Sequence, residues 1–126
     1  MIFSRATTLK KYERLGVFNT IRRKTDNHVL VRILIGTEIP IKGRDVDWLN
    51  EYPQIEFRYL LKSIKTRLTT IVTDRELSLV IEERENEDAF DFGLATYSNS
   101  EYTVLSSASI FENLWSQSTS HYKIMN

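Results

Sequence analysis

Val29-Leu30-Val31-Arg32-Ile33-Leu34-Ile35 is the stretch on which the fold turns. It is almost continuously apolar and β-branched, with Arg32 its one charge. Such a run reads as a central strand covered on both faces, as parallel sheets require. Downstream, 36–43 reads as a loop at the carboxyl end of that strand. Residues 44–51 read as a short helix with Val46, Trp48 and Leu49 as its apolar side, ended by Pro53. Ile55-Glu56-Phe57-Arg58-Tyr59-Leu60 alternates, the pattern of a second strand. Strand, helix and strand at this spacing make a βαβ unit, so the two strands should be parallel.

Upstream, 4–25 reads as one helix with Ser4 as N-cap and Arg22, Arg23 and Lys24 in its last turn. Ile2, Ala6, Leu9, Val17 and Ile21 share a broad side, whereas Leu15 and Phe18 point away. A helix apolar on two sides buries two sides; equally, Gly16 marks a bend. Further along, 67–73 and 77–83 read as strands joined at Asp74-Arg75-Glu76. The acidic run 82–91 reads as a solvated strand end and loop, and 92–97 as a fifth strand. Ser98-Asn99-Ser100-Glu101 has capping-box spacing, with Ser98 as N-cap of a helix reaching 118 or beyond. The expected fold is α/β: a three-layer-like sandwich with a mixed, mostly parallel five-stranded sheet, flanking helices and a long C-terminal helix.

Composition narrows the function classes. The 126 residues suit one domain over 1–126, with no repeat or linker. At 41% hydrophobic and 27% charged residues, the chain holds enough apolar material for a core without staples. The absence of cysteine excludes disulfides and thiolate metal sites, and fits a reducing, cytoplasmic setting. Seventeen basic residues balance seventeen acidic ones, so the overall footprint of a nucleic-acid binder is missing. The basic residues of the first helix scatter around it rather than form a stripe. No apolar run reaches the roughly 18 residues of a membrane span, so no direct membrane contact is expected.

Chemistry-bearing patterns are few. His28 and His121 lack a second ligand at metal spacing, and no metal or cofactor is expected. There is no nucleophile elbow, phosphate loop or dinucleotide fingerprint. The clustered carboxylates from Glu82 to Asp91 read as a solvated face, without the split environments an acid–base pair needs. Two places invite a ligand. Ser98, Asn99 and Ser100 stand at a helix N-terminus after a strand, where free N–H groups favour an anion, although plain capping explains Ser98. Arg67 and Thr69 share a strand face, which Arg58 would join if it lies on the same side; the plainer reading is a solvent-facing pair.

The stretches Ala95-Thr96-Tyr97-Ser98-Asn99-Ser100, Thr103-Val104-Leu105-Ser106 and Ser109-Ile110-Phe111-Glu112-Asn113-Leu114-Trp115-Ser116-Gln117 resemble the sensory region upstream of the kinase core in a family of archaeal histidine kinases. Weaker matches lie at Arg32-Ile33-Leu34, Ile71-Val72-Thr73-Asp74-Arg75, Leu77-Ser78-Leu79 and Gly93-Leu94. That region in turn looks like one half of a phospholipase D-type domain, whose signature is His-x-Lys-x-x-x-x-Asp followed by a Gly, Ser and Asn cluster. The corresponding positions are Arg67, Thr69 and Asp74, then Gly93, Ser98 and Asn99. Arg67 stands where the family's nucleophilic histidine would be, and a guanidinium cannot be covalently phosphorylated as an imidazole can.

The resemblance therefore implies a non-catalytic sensor piece of a longer kinase that answers a small-molecule or protein signal. Ligand contacts are expected at Arg58, Arg67, Thr69, Ser98 and Asn99. The rival functions are a phospholipase D-type phosphodiesterase or nuclease and the effector domain of a transcription regulator. No phosphoacceptor histidine box or glycine-rich ATP lid occurs, so the kinase core would lie beyond Asn126. A homodimer through helices is expected, because Val104, Ala108, Phe111, Trp115, Ser118, Tyr122 and Met125 recur in heptad steps. The first helix, through Leu15 and Phe18, is the expected second contributor.

Overall fold

The computed structural model describes residues 1–3, 5–24, 29–37, 46–73, 76–82 and 93–120. Seven strands form one mixed sheet: β1 (Ile2–Phe3), β2 (Val31–Ile35), β3 (Ile55–Tyr59), β4 (Leu68–Thr73), β5 (Leu77–Glu82), β6 (Ala95–Ser98) and β7 (Thr119–Ser120). Their order is β6-β5-β4-β1-β2-β3-β7. The helices are α1 (Ala6–Arg14), α2 (Val17–Lys24) and α3 (Glu101–Ser116), with a 3₁₀ turn at Asp47–Glu51.

The βαβ expectation holds at its strands: β2 and β3 run parallel with Ile33 opposite Phe57. The element between them is the 3₁₀ turn, and 38–45 lies outside the described residues. Ile33, Leu34 and Ile35 are fully buried, so β2 is covered on both faces as its composition demands. Val29 and Leu30 stand before the strand and are exposed.

Three expectations are corrected. The sheet has seven strands rather than five, and it is not mostly parallel. Among the described residues, only β1–β2 and β2–β3 are parallel; β1–β4, β3–β7, β4–β5 and β5–β6 are antiparallel. The two missed strands hold two residues each, too short to show any period. They exist because a neighbouring strand offers an edge: β1 bonds between β2 and β4, and β7 adds to β3.

The N-terminal helix is two helices. Gly16 takes φ +79, a backbone that a side chain would strain, and the chain turns there. The turn re-phases α2, so Phe18 is fully buried rather than turned outward as an interface residue. Ser4 lies outside the described residues; Arg5 holds the N-cap place of α1 without a side-chain bond.

The C-terminal helix is also shorter than expected. Its N-cap is Ser100 rather than Ser98, and it ends at Ser116, after which the chain returns to the sheet as β7. Ser118 is therefore not helical, and the heptad seam stops at Trp115; Tyr122 and Met125 lie outside the described residues.

Strand alternation divides the core. On one face, α1, α2 and the 3₁₀ turn cover Phe3, Ile33, Ile35, Ile55, Phe57 and Tyr59. On the other, α3 lies against β4 and β5 and sets Phe111, Leu114 and Trp115 on Ile2 and Leu34. Among the described residues, no helix is long and apolar enough to cross a membrane.

Candidate functional site

The residues nominated from sequence fall into separate places. Arg67 is exposed just ahead of β4, where the next amide, that of Leu68, donates to Thr66 Oγ1 at 3.1 Å. Thr69 is buried at 2% exposure, opposite Ile81 and therefore on the α1–α2 face. Ser98 is half-buried opposite Ser78, on the α3 face, and its Oγ accepts from the Ser100 amide at 3.1 Å. Asn99 is exposed beside it.

The ladders set the distances. Thr69 aligns through Ile81 with Ala95, whereas Ser98 aligns through Ser78 with Val72. Thr69 and Ser98 are thus three residues out of register, about 10 Å along the strands, and on opposite faces. Arg58 shares the α3 face with Ser98 but stands five strands away, about 24 Å. Arg67, exposed ahead of β4, and the buried Thr69 do not form the expected solvent-facing strand pair, and the structure does not bring the five residues together. Asp74 and both histidines lie outside the described residues.

What the fold does assemble is a clamp between β2, β3 and α3. Arg32, the one charge in the central strand, turns to the α3 face because alternation leaves it no other. Its guanidinium forks onto Glu112, Nη1 donating to Oε2 at 3.1 Å and Nη2 to Oε1. It also lies over the Phe111 ring at 5.0 Å and the Trp115 ring at 5.1 Å. Phe111 and Trp115, one helical turn apart, stack with centroids 5.6 Å apart.

Arg58, one rung along on β3, covers Trp115 at 4.6 Å and donates to Glu56 Oε1 at 3.3 Å. Its Nη1 makes a long contact, 3.5 Å, to the Trp115 carbonyl. Trp115 is therefore flanked by two cations that reach it from adjacent strands.

Burial sets the weight of each contact. The Arg32 side chain is 25% exposed and that of Glu112 49%, so water screens their attraction and the ion pair alone contributes little. Ring contact carries more, since the guanidinium lies over both the Phe111 and the Trp115 ring. The hydrogen bond that Arg32 donates to Glu112 raises the Arg32 pKa against the opposing cost of burial. No family model, no curated protein and no solved structure matches the chain.

A proton-transfer site would need groups with split affinities near one another. Besides Arg32, the Tyr59 phenol is pushed up to about 12 by burial, burial also raises the Tyr52 phenol, and the Met1 amine, which donates to the Arg32 carbonyl, is lowered to about 5 by burial and then by Arg32. Among the described residues, no group of three or more His, Cys, Asp or Glu is placed to hold a metal. The clamp binds one element of the chain to another, and that is its chemistry. A single Arg inside an apolar strand is the signal that nominates Arg32; its partner, eighty residues away, carries no local mark.

Proposed function

We propose that the chain is a sensing and transmitting domain of a two-component histidine kinase, in which the position of α3 on the sheet is the output. The clamp is the observation that carries this reading. Phe111, Glu112 and Trp115 belong to the stretch on which the family resemblance rests, and these are the α3 residues that grip Arg32 and Arg58. The helix end is tied on through β7, where Tyr59 pairs with Thr119 and Arg58 with Ser120. A ligand or partner that binds better to one placement of α3 shifts the population toward it. Contacts of modest individual strength suit such an element, because a signal can exchange them reversibly.

The same reading takes the parent protein as the kinase and this chain as its non-catalytic part. The full gene tests it. A phosphoacceptor-histidine kinase core following residue 126 in frame is the expected result, and a DNA-binding domain there overturns the kinase assignment. In the intact kinase, Arg32→Met should change basal autophosphorylation severalfold. Phosphorylation indifferent to that change, with the fold retained, overturns transmission through the clamp.

A further inference from the structure

Charge is unevenly spread along the chain. Residues 1–24 hold seven of its seventeen basic residues and one of its seventeen acids, and that acid, Glu13, is paired with Lys10 at 3.2 Å. On one straight helix these cations would scatter. The bend at Gly16 re-phases α2 and turns Gly16, Asn19, Thr20 and Arg23, at steps of three and four, away from the buried Phe18. Across that bend lies an open cavity of about 440 Å³, lined by Leu15, Gly16, Asn19, Thr20, Arg22 and Arg23. None of the six is acidic. At Gly16 the floor is bare backbone, since a Cβ there would meet nothing within 4 Å.

We propose that this cavity binds the phosphate group of a small soluble phosphate monoester. Charge and donor count select the ligand. Arg22 is held in place: its guanidinium lies over the Tyr52 ring at 5.4 Å, and its Nη2 donates to Asn19 Oδ1 at 2.7 Å. Because a guanidinium only donates, that bond sets the Asn19 amide oxygen on Arg22 and leaves the amide NH2 to donate elsewhere. Arg22 keeps further N–H groups for a ligand, and Arg23 is exposed with no partner among the described residues. Thr20 adds a hydroxyl. Two guanidinium charges match the charge of about −1.5 to −2 that a phosphate monoester carries near neutral pH, and its three terminal oxygens accept from several donors at once. A carboxylate, with one charge and two oxygens, would leave one arginine uncompensated. Leu15, 44% exposed, offers apolar contact to the carbon part of the ester. The volume falls toward the lower end of small-molecule sites, which run from about 300 to 1,000 Å³. Water reaches the cavity and screens its charges, so the dissociation constant should be on the order of 1 mM. None of the six residues belongs to the stretches that carry the family resemblance, so the inference stands apart from the kinase reading.

Titration of the isotope-labelled chain with glycerol phosphate at constant ionic strength, followed by nuclear magnetic resonance, tests it. The amides of Gly16, Asn19, Thr20 and Arg23 should shift and saturate, and inorganic phosphate should compete. Acetate at equal concentration should move them far less. Arg22→Gln with Arg23→Gln should raise the dissociation constant roughly tenfold or more. Arg23→Gln alone, which disturbs no contact among the described residues, should raise it severalfold with an unchanged far-ultraviolet circular dichroism spectrum. Arg67→Gln, at an exposed cation outside the cavity, should bind as the wild type does. Shifts that never saturate, shifts that acetate reproduces, or an affinity indifferent to both Arg23 variants overturn the proposal. Vesicles of phosphatidylglycerol that hold the chain when the free ester does not would place the anion on a lipid surface, and overturn it equally.

Discussion

On one face of the sheet, Phe3, Tyr12, Phe18, Trp48 and Tyr52 pack ring against ring under α1 and α2, at centroid distances from 5.1 to 6.3 Å. On the other, α3 covers a smaller cluster around Ile2, Leu34, Leu60 and Phe111, and two arginines lie within its reach. The treatment of cations shows the contrast best. The amine of Met1, whose side chain packs on the first cluster, donates to the Arg32 carbonyl at 2.8 Å and has its pKa lowered to about 5 by burial and then by Arg32. Arg32, on the second face, has its pKa raised, because Glu112 bonds to it. The first face is held mainly by apolar area, with Lys10 over Trp48 at 4.7 Å and Arg22 over Tyr52 at 5.4 Å at its margin. The second keeps charge and holds its helix with it.

The comparison breaks most visibly at Phe18. Removing this fully buried ring opens a void among Phe3, Trp48 and Tyr52. Phe18→Ala should cost about 3–5 kcal/mol in urea denaturation. A loss below about 1 kcal/mol would show that α2 does not seal that face.

The Met1 amine comes next, through pH. In the unfolded chain it takes up a proton below about 8, in the folded chain only below about 5. Between those values the unfolded state binds more protons, so stability rises with pH from 5 to 8 and is insensitive to this group below 5. The full effect is at most about 4 kcal/mol. It is measured in a chain carrying His28→Gln and His121→Gln, so that no imidazole titrates in the same window. A flat profile there would mean that the amine stays charged in the fold.

The clamp should respond least to global denaturation and most locally. Arg32→Met should cost about 1–2 kcal/mol through lost ring contacts and speed amide exchange in α3. Glu112→Gln should cost less than about 1 kcal/mol, because the carboxylate is half in water. If Glu112→Gln proves the costlier of the two, the ion pair rather than the rings holds the helix.

Much of this architecture is legible in the chain. The apolar run 29–35 names a central strand, and the alternation from Ile55 to Tyr59 names its parallel neighbour. The hairpin of β4 and β5 follows from two β-branched runs around a short turn, with Thr73 opposite Leu77. Boundaries at caps are less legible: Ser98 and Ser100 are both acceptable N-cap residues, and the start of α3 is set by where β6 lets go of β5. The candidate ligand residues fared similarly. Neighbours in sequence, such as Ser98 and Asn99, stay together, while Arg58 and Ser98 are set apart by the strand order.

Sequence by itself therefore determined the long strands and the helical identity of α3, because each is a periodicity carried by residues a few positions apart. Tertiary structure alone decided the rest. Two-residue β1 and β7 form only where β2, β4 and β3 offer unpaired backbone. The side of α3 that meets the sheet was settled by competition between two partly apolar faces. Phe111 and Trp115 won because they could bury area and meet two guanidinium groups at once, a gain that exists only after β2 and β3 have set Arg32 and Arg58 on one face of adjacent strands, two residues out of register.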